Sequence, residues 1–388
     1  MSRRTVNLVE RRTRTVRLPS ADVAFLHTHA RHVVEVAATF RAGCVRLTPR
    51  GYVGWFDSPH CRFAIAPKIP WPNLQMLLGL PASEHAGEAV DHSDILAVFS
   101  REFAAQLRVV TRVGLVAGYR EADTTAPYLR GKLRTADQLR DAAARAFPDR
   151  FHITESVLDL DTSWNRILRA TADSLQANPD LSLARRIEVR DAARVFGEVS
   201  SGPLREADFA AAENEPRIAH YRPLLAVCRL LRDGLAAAQP QQAGSGGFLI
   251  DLSRAFERYL SSGLTAALNP RPVWSLETHP GFAIGTTVLQ PDILLRRRGE
   301  ARCVLDTKWK TLGAEPDAAD LHQILAYATI TGAKHVGLVY PGHKFGTRAF
   351  GFAGSDIRVS LVRVRVVGTV AECSNSLAKL ATFARRRG

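Results

Sequence analysis

The sequence lacks the features that would place the protein in a membrane or outside the cell. It contains no apolar run of about 18 residues, the length that spans a bilayer. Its basic N-terminus is not followed by an apolar stretch with a small-residue cleavage site, so no secretory signal is recognised. We therefore expect a cytoplasmic protein.

Two further absences narrow the chemistry. The five cysteines are far apart and form no CxxC pair, which argues against a zinc ribbon or a redox site. The sequence has no glycine-rich loop of the GxxxxGK[ST] kind, the loop that holds nucleotide phosphates in P-loop proteins. Nucleotide hydrolysis is therefore not expected of this chain.

What the sequence has is the composition of a folded protein with a strong basic bias. Hydrophobic residues make up 46% and charged residues 23% of the 388 positions, which suits two or three domains with real cores. The formal net charge of +14 favours binding to a polyanion such as nucleic acid. The alternative is an arginine-rich composition spread over a solvated surface, so charge supports a nucleic-acid function without establishing it.

Changes in residue patterning predict a multidomain α+β protein. Residues 1–94 carry short apolar runs separated by Gly and Pro, which predicts a β-rich N-terminal domain. Residues 95–238 repeat apolar residues at helical spacing, which predicts a helical middle region. The segment QPQQAGSGG at 239–247 predicts a flexible linker, and 248–388 predict a C-terminal α/β domain.

The C-terminal domain shows a regular order of predicted elements. An apolar stripe over 249–268 predicts an amphipathic helix, and a short turn at 298–300 joins two of the strands that follow. The full order is α-β-β-β-α-β, with strands at 272–278, 288–295, 302–308 and 336–340 and the second helix at 317–331.

The two strands joined by that turn carry carboxylates and an amine. Asp292 belongs to the first strand, and Asp306 and Lys308 belong to the second. Because side chains alternate along a strand, Asp306 and Lys308 share one face while Leu305 and Thr307 point to the other. Pairing of the strands can bring Asp292 beside Asp306. The sequence therefore predicts two carboxylates and an amine at one place.

This set of groups suits metal-dependent cleavage of a phosphodiester. Asp292 and Asp306 are predicted ligands of Mg²⁺, with the backbone carbonyl of Thr307 as a further ligand. The metal polarises the phosphate and lowers the pKa of the attacking water, which Lys308 can orient or deprotonate. An isolated D-x-K triplet is usually a surface ion pair. Here the triplet ends an apolar strand and follows a Pro-Asp that opens another, which favours the catalytic interpretation.

Pro291-Asp292 followed by Asp306-Thr307-Lys308 resembles the motif of the PD-(D/E)XK nuclease superfamily. The resemblance implies a restriction-endonuclease-like fold for the C-terminal domain. It also implies that Asp292, Asp306 and Lys308 are the catalytic residues.

Two flanking segments extend this resemblance. Glu257, in the segment FERYL, is similar to the acidic residue that the preceding helix can add to the metal site. Gln323 and Tyr327, in HQILAYA, resemble the Q-x-x-x-Y feature of RecB-like members, where the pair supports the substrate end of the site. The alternatives are a solvated helix residue for Glu257 and an ordinary half-buried helix face for the pair. Lys310 is either a strand-end lysine or a contact to DNA phosphate.

Further blocks, in a fixed order along the chain, resemble the McrC family, the nuclease subunits of McrBC-type modification-dependent restriction systems. They are a block with an I-x-PK sequence at 52–78 and segments at 114–119, 128–133 and 159–168. The resemblance implies a Mg²⁺-dependent endonuclease subunit that cleaves modified double-stranded DNA in anti-phage defence. It also implies a McrB-like AAA+ GTPase ring as partner, which binds the GTP and is stimulated by the N-terminal half, including the domain at 1–94.

Two other functions stay open at this point. One is a non-catalytic assembly or activator subunit of the NTPase complex, which a departure from the acidic and lysine motif would favour. The other is a stand-alone repair or junction nuclease of the same superfamily, which would not need the long region ahead of the nuclease core.

Overall fold

The computed structural model describes residues 3–80, 95–147, 149–238, 246–268, 273–313, 315–351 and 356–387. The chain forms two compact units, one combining Met1–Ile95 with Asp233–Gly388 and the other formed by Leu96–Arg232. The regions predicted as separate domains at 1–94 and 248–388 thus lie in one unit. The predicted linker at 239–247 lies outside the described residues except for its last two positions. Within the described ranges, no helix has both the length and the apolar character needed to cross a membrane.

The N-terminal part of the first unit is rich in strands. One sheet has the order β2-β4-β3, and in a second sheet β6 lies between β1, to which it is parallel, and β5, to which it is antiparallel. Leu26, Leu47 and Phe63 are fully buried in the core that these sheets share. The elements are β1 (Arg4–Val9), β2 (Arg14–Arg17), α1 (Ser20–His29), β3 (Val34–Ala38), β4 (Cys44–Pro49), β5 (Tyr52–Asp57), β6 (Cys61–Ala66) and α2 (Trp71–Leu77).

The middle of the chain is mostly helical but also contains a sheet. Its elements are α3 (Ile95–Val113), β7 (Gly118–Ala126), β8 (Lys132–Leu133), α4 (Thr135–Arg140), α5 (Ala142–Ala146), β9 (Phe151–Asp159), α6 (Ser163–Ala177), α7 (Leu183–Ala192), α8 (Glu206–Glu213) and α9 (Arg222–Ala238). The sheet has the order β7-β9-β8 and was not predicted. β7 is largely polar and exposed, and β9 is mostly half-buried with one buried side chain, so the sequence shows no sustained apolar alternation here.

The C-terminal part is built on a six-stranded sheet with the order β11-β14-β15-β16-β18-β17. Strands β15, β16 and β18 are parallel, and the other pairs are antiparallel. The elements are β10 (Gly247–Asp251), α10 (Leu252–Leu268), β11 (Trp274–Thr278), β12 (Phe282–Ile284), β13 (Thr287–Leu289), β14 (Ile293–Arg297), β15 (Glu300–Thr307), α11 (Ala318–Thr331), β16 (His335–Gly342), β17 (Gly346–Gly351), β18 (Arg358–Arg365) and α12 (Val370–Arg387).

Helix α11 makes the crossover that two parallel strands require, from β15 to β16. Its buried Ile324, Tyr327 and Ala328 pack in the core that also contains Leu338 of β16. The helix ends at Gly332, whose φ of 72° is the left-handed conformation that glycine adopts easily. The predicted strand at 288–295 is divided in the structure between β13 and β14. The mixed α+β class predicted from the sequence is confirmed.

Strand β10 explains why the two ends of the chain form one unit. It pairs antiparallel with β5 and so adds a fourth strand to the N-terminal sheet. Gly54 of β5 has a φ of 121°, and a Cβ atom there would lie 2.1 Å from the carbonyl oxygen of Phe248. Only glycine allows this close approach of the two strands.

Candidate metal centre

The β14–β15 hairpin brings the two predicted aspartates together. In its antiparallel register, Asp292, the residue before β14, stands opposite Asp306 of β15. The turn between the strands passes through Arg298 and Gly299, both with left-handed backbone conformations. The neighbouring strand β11 continues the row, because Thr278 pairs with the first residue of β14 and the next residue, His279, therefore faces Asp292.

Asp306 occupies a dry position near the C-terminal end of β15. Burial, together with the negative charge of Asp292, raises its pKa to about 6. The ammonium group of Lys308 lies 2.6 Å from Asp306 Oδ2 and opposes this shift. Lys308 is therefore the charged partner of this buried oxygen, which no other described residue contacts by a hydrogen bond. A buried carboxylate oxygen in this state is suited to a cation.

Asp292 is oriented by Thr307. Its Oδ2 accepts hydrogen bonds from the amide nitrogen of Thr307 at 2.6 Å and from the hydroxyl at 2.7 Å. The expectation that the Thr307 side chain points away from the site was therefore wrong. Strand β15 ends at Thr307, and alternation no longer fixes the side chain there. The role of the Thr307 carbonyl as a metal ligand stays a prediction.

Glu257 reaches the site from helix α10. The helix buries Phe256 and Leu260 against the core, while one Glu257 oxygen and Nε2 of His279 lie 2.5 Å apart. Ligand atoms of Glu257, His279 and Asp292 all lie within 4.8 Å of one another. Burial, together with the charge of Asp292, raises the pKa of Glu257 to about 7, although His279 opposes the shift. The predicted acidic residue is thus beside Asp292.

His279 was not predicted from the sequence. Its amide donates a hydrogen bond to the carbonyl of Asp292 at 3.1 Å, and its φ is 49°. A lone histidine in the segment THPG has no spacing that marks a ligand. His279 could have been found from the pairing of β11, which ends just before it, with β14, which begins just after Asp292.

Gln323 and Tyr327 are connected to Lys308 by hydrogen bonds. Lys308 Nζ donates to Gln323 Oε1 at 2.8 Å, and Gln323 Nε2 donates to the Tyr327 hydroxyl at 2.9 Å. That hydroxyl donates in turn to the carbonyl of Gln290 at 3.1 Å. The i, i+4 pair therefore holds the lysine from α11 and connects it with the segment that leads to Asp292.

Lys310 lies beyond the end of β15 and is already paired. Its ammonium group contacts Asp317 and lies 2.7 Å from Asp320 Oδ2. Asp320 was not predicted; it also lies 4.0 Å from Lys308 and accepts a hydrogen bond from Tyr340 at 3.3 Å. A contact of Lys310 with DNA phosphate would compete with these carboxylates.

Trp309, between the two lysines, points into the protein. The indole is 2% exposed and packs on Phe256 with ring centroids 5.4 Å apart. Its Nε1 donates to Glu10 Oε1 at 2.8 Å, and Lys68 lies over the ring at 5.1 Å. Lys68 is the lysine of the I-x-PK block. Glu10 and Lys68 of the N-terminal part therefore contact Trp309, which lies between Lys308 and Lys310 in the sequence.

The donor set fits a hard divalent cation. Glu257 and Asp292 have carboxylate oxygens within 4.8 Å of each other, and Asp306 stands opposite Asp292 on β15. Carboxylate oxygens are the ligands that Mg²⁺ prefers. The raised pKa values of Glu257 and Asp306, to which the charge of Asp292 contributes in both cases, show a concentration of negative charge that a cation would relieve. In the structure, the ammonium group of Lys308 supplies positive charge beside Asp306.

Comparisons with known proteins give one family and a related fold. A family model described as "McrBC 5-methylcytosine restriction system component" matches residues 47–341. No curated protein matches the chain. A refined half-complex from a tetradecameric assembly of Thermococcus gammatolerans McrB AAA+ hexamers with bound McrC contains a similar chain, with 18% identity, 98% of this chain and 99% of that chain covered and a TM-score of 0.53. The McrBC complex of the same organism gives 19% identity, 68% and 88% coverage and a TM-score of 0.45.

Proposed function

The chain belongs to the family of McrBC 5-methylcytosine restriction system components, and from that premise we propose that it is the Mg²⁺-dependent DNA endonuclease subunit of such a system. Its substrate is then modified double-stranded DNA. The resemblance to the McrC family, stated from the sequence, agrees with the family match.

The observation that carries the proposal is the meeting of three carboxylates and a lysine. Glu257 and Asp292 lie together, Asp292 stands opposite Asp306, and Lys308 lies 2.6 Å from Asp306. When bound there, Mg²⁺ would polarise a phosphate and lower the pKa of an attacking water. These side chains belong to α10, β15 and the ends of strands, which hold them in fixed relative positions.

Each side chain has a role in the proposed reaction. The three carboxylates hold the cation, and Thr307 fixes the direction of the Asp292 carboxylate through two hydrogen bonds. Lys308 can orient the water and stabilise the negative charge that develops on the phosphate oxygens. Gln323, held by Tyr327, restrains the ammonium group of Lys308.

The proposed partner is a McrB-like AAA+ GTPase. The similar chain from Thermococcus gammatolerans comes from an assembly described as McrB hexamers with bound McrC. The present sequence has no P-loop of its own. A partner that hydrolyses GTP would supply the nucleotide chemistry, and this chain would stimulate it.

The test is a cleavage assay with the assembled complex. Methylated DNA is incubated with the chain, its partner, GTP and Mg²⁺, and wild type is compared with Lys308→Met. Removal of one charge-stabilising donor typically lowers the reaction rate by about 10²–10³-fold, so we expect the cleavage rate to fall at least that much. Stimulation of GTP hydrolysis should be retained.

A matched control is Lys334→Met, which removes an exposed lysine paired with the exposed Asp356. It should cleave as wild type does. Unchanged cleavage by Lys308→Met would refute the proposed role of Lys308, and metal-free cleavage would refute the proposed chemistry.

A further inference from the structure

We infer that His279 supplies a nitrogen ligand to the proposed metal centre, so that the centre binds Mn²⁺ more tightly than Mg²⁺. The inference rests on the proposed function, because it concerns the same cation. It adds a ligand type and a metal preference to the carboxylate set.

The position of His279 follows from sheet register. The pairing of β11 with β14, and of β14 with β15, places His279, Asp292 and Asp306 next to one another at the same level of three adjacent strands. The imidazole Nε2 lies 2.5 Å from a Glu257 oxygen. One ligand atom each from Glu257, His279 and Asp292 lies within 4.8 Å of the others. A single cation could bind all three groups after small side-chain rotations.

The backbone of His279 is fixed in an uncommon conformation. Its φ of 49° is left-handed, and its amide donates to the carbonyl of Asp292. Sparsely populated backbone conformations cost about 1–3 kcal/mol and persist where the surrounding structure enforces them, which is common at functional sites. The hydrogen bond links the backbone of the histidine directly to that of a predicted metal ligand.

The side chain is also reachable from solvent. It is 52% exposed, whereas the Glu257 side chain is 15% exposed. The exposed imidazole can exchange its contact with Glu257 for a cation that enters from solution.

The metal preference follows from ligand chemistry. Mg²⁺ takes oxygen ligands almost exclusively and keeps several waters, whereas Mn²⁺ accepts carboxylates and stands with the transition metals, to which imidazole binds. A site with three carboxylates accepts both ions. The added imidazole strengthens the binding of Mn²⁺ and contributes little to Mg²⁺.

The experiment measures Mn²⁺ on the full chain by electron spin echo envelope modulation and by titration against Mg²⁺. The substitution is His279→Asn, because asparagine tolerates the left-handed backbone and replaces the nitrogen ligand by an amide oxygen. We expect an imidazole ¹⁴N modulation in wild type that is lost in His279→Asn. We also expect the ratio of Mn²⁺ to Mg²⁺ affinity to fall by about tenfold or more, the scale on which metal sites respond to a lost supporting group.

Two further variants, His27→Ala and Asp292→Asn, distinguish failure of the inference from failure of the proposed function. His27→Ala, at an exposed histidine of α1, should keep both the modulation and the affinity ratio. If Asp292→Asn abolishes Mn²⁺ binding while His279→Asn leaves the spectrum and the ratio unchanged, the inference is overturned and the proposed carboxylate centre stands. If Asp292→Asn also leaves Mn²⁺ binding unchanged, the proposed function loses its metal centre and the inference fails with it.

Discussion

The contact between Glu10, Lys68 and Trp309 allows a quantitative prediction, because it joins the N-terminal part to the segment after β15 that carries the proposed catalytic lysine. Glu10 is fully buried, accepts from Trp309 Nε1 at 2.8 Å and lies 3.7 Å from Lys68 Nζ. Burial raises the pKa of Glu10 and lowers the pKa of Lys68. The protein therefore holds an ion pair that has lost much of its hydration.

Removing one member of this pair should be costly. Glu10→Ala leaves the Lys68 charge and the Trp309 N–H without their acceptor, and breaking a buried pair in this way costs about 3–5 kcal/mol. Lys68 retains 23% side-chain exposure, so we expect a loss near the lower limit, about 3 kcal/mol. Glu10→Gln keeps an acceptor for the indole and should cost less.

The assay is urea denaturation of a double-mutant cycle made of Glu10→Gln, Lys68→Met and the double variant. Because the pair can be replaced together at small cost, the double variant should be less destabilised than the two single losses added, by about 0.5–3 kcal/mol. Asp356→Asn, at an exposed ion pair, should change stability by about 0.5 kcal/mol or less. Strict additivity in the cycle would refute the claim that the two charges are coupled.

The same contact should influence the proposed metal centre from a distance. Trp309 is the neighbour of Lys308, and it packs on Phe256, the neighbour of Glu257. Glu10→Ala is therefore expected to weaken Mn²⁺ binding although Glu10 is not a predicted ligand. Unchanged binding would show that the N-terminal part supports the fold without positioning the site.

Two further predictions concern stability. Gly54→Ala should lower the free energy of unfolding by more than about 3 kcal/mol, because the new Cβ would lie 2.1 Å from the carbonyl oxygen of Phe248 and the φ of 121° disfavours other residues. Thermal unfolding measures this loss. The control is Gly197→Ala, where a Cβ has open space. The metal-free protein should lose stability as the pH rises from about 4 to about 7. Burial raises the pKa of Asp306 to about 6 and that of Glu257 to about 7 in the folded protein. Between the unfolded and the folded pKa values the unfolded protein binds fewer protons than the folded protein, so the free energy of unfolding falls as the pH rises. Asp306→Asn should flatten this dependence in urea denaturation with a chelator; an identical slope would contradict the assigned pKa shift.

The hairpin of the candidate site could be predicted from the sequence because its signals are local. Apolar runs mark β14 and β15, and the turn residues stand between them, so Asp292 and Asp306 had to approach each other. The i, i+4 spacing placed Gln323 and Tyr327 on one helix face, and the structure adds their hydrogen-bonded chain to Lys308.

Other features depend on contacts between distant segments and left no local signal. His279 is placed by the pairing of β11 with β14. Glu10 and Trp309 are separated by 299 positions and meet only because the two ends of the chain share one unit. The sheet of the middle region was missed for a different reason, since its strands bury few side chains and lack the apolar alternation by which strands are recognised.

Above all, we propose that the centre formed by Asp292, Asp306 and Lys308 cleaves DNA. Its most direct test is Asp306→Asn in the assembled reaction with the partner, methylated DNA, GTP and Mg²⁺, with cleavage and GTP hydrolysis measured in the same sample. We predict that cleavage is lost while stimulation of GTP hydrolysis remains at the wild-type level. Cleavage at the wild-type rate by Asp306→Asn would contradict the claim and would indicate a subunit that activates the complex without cutting DNA.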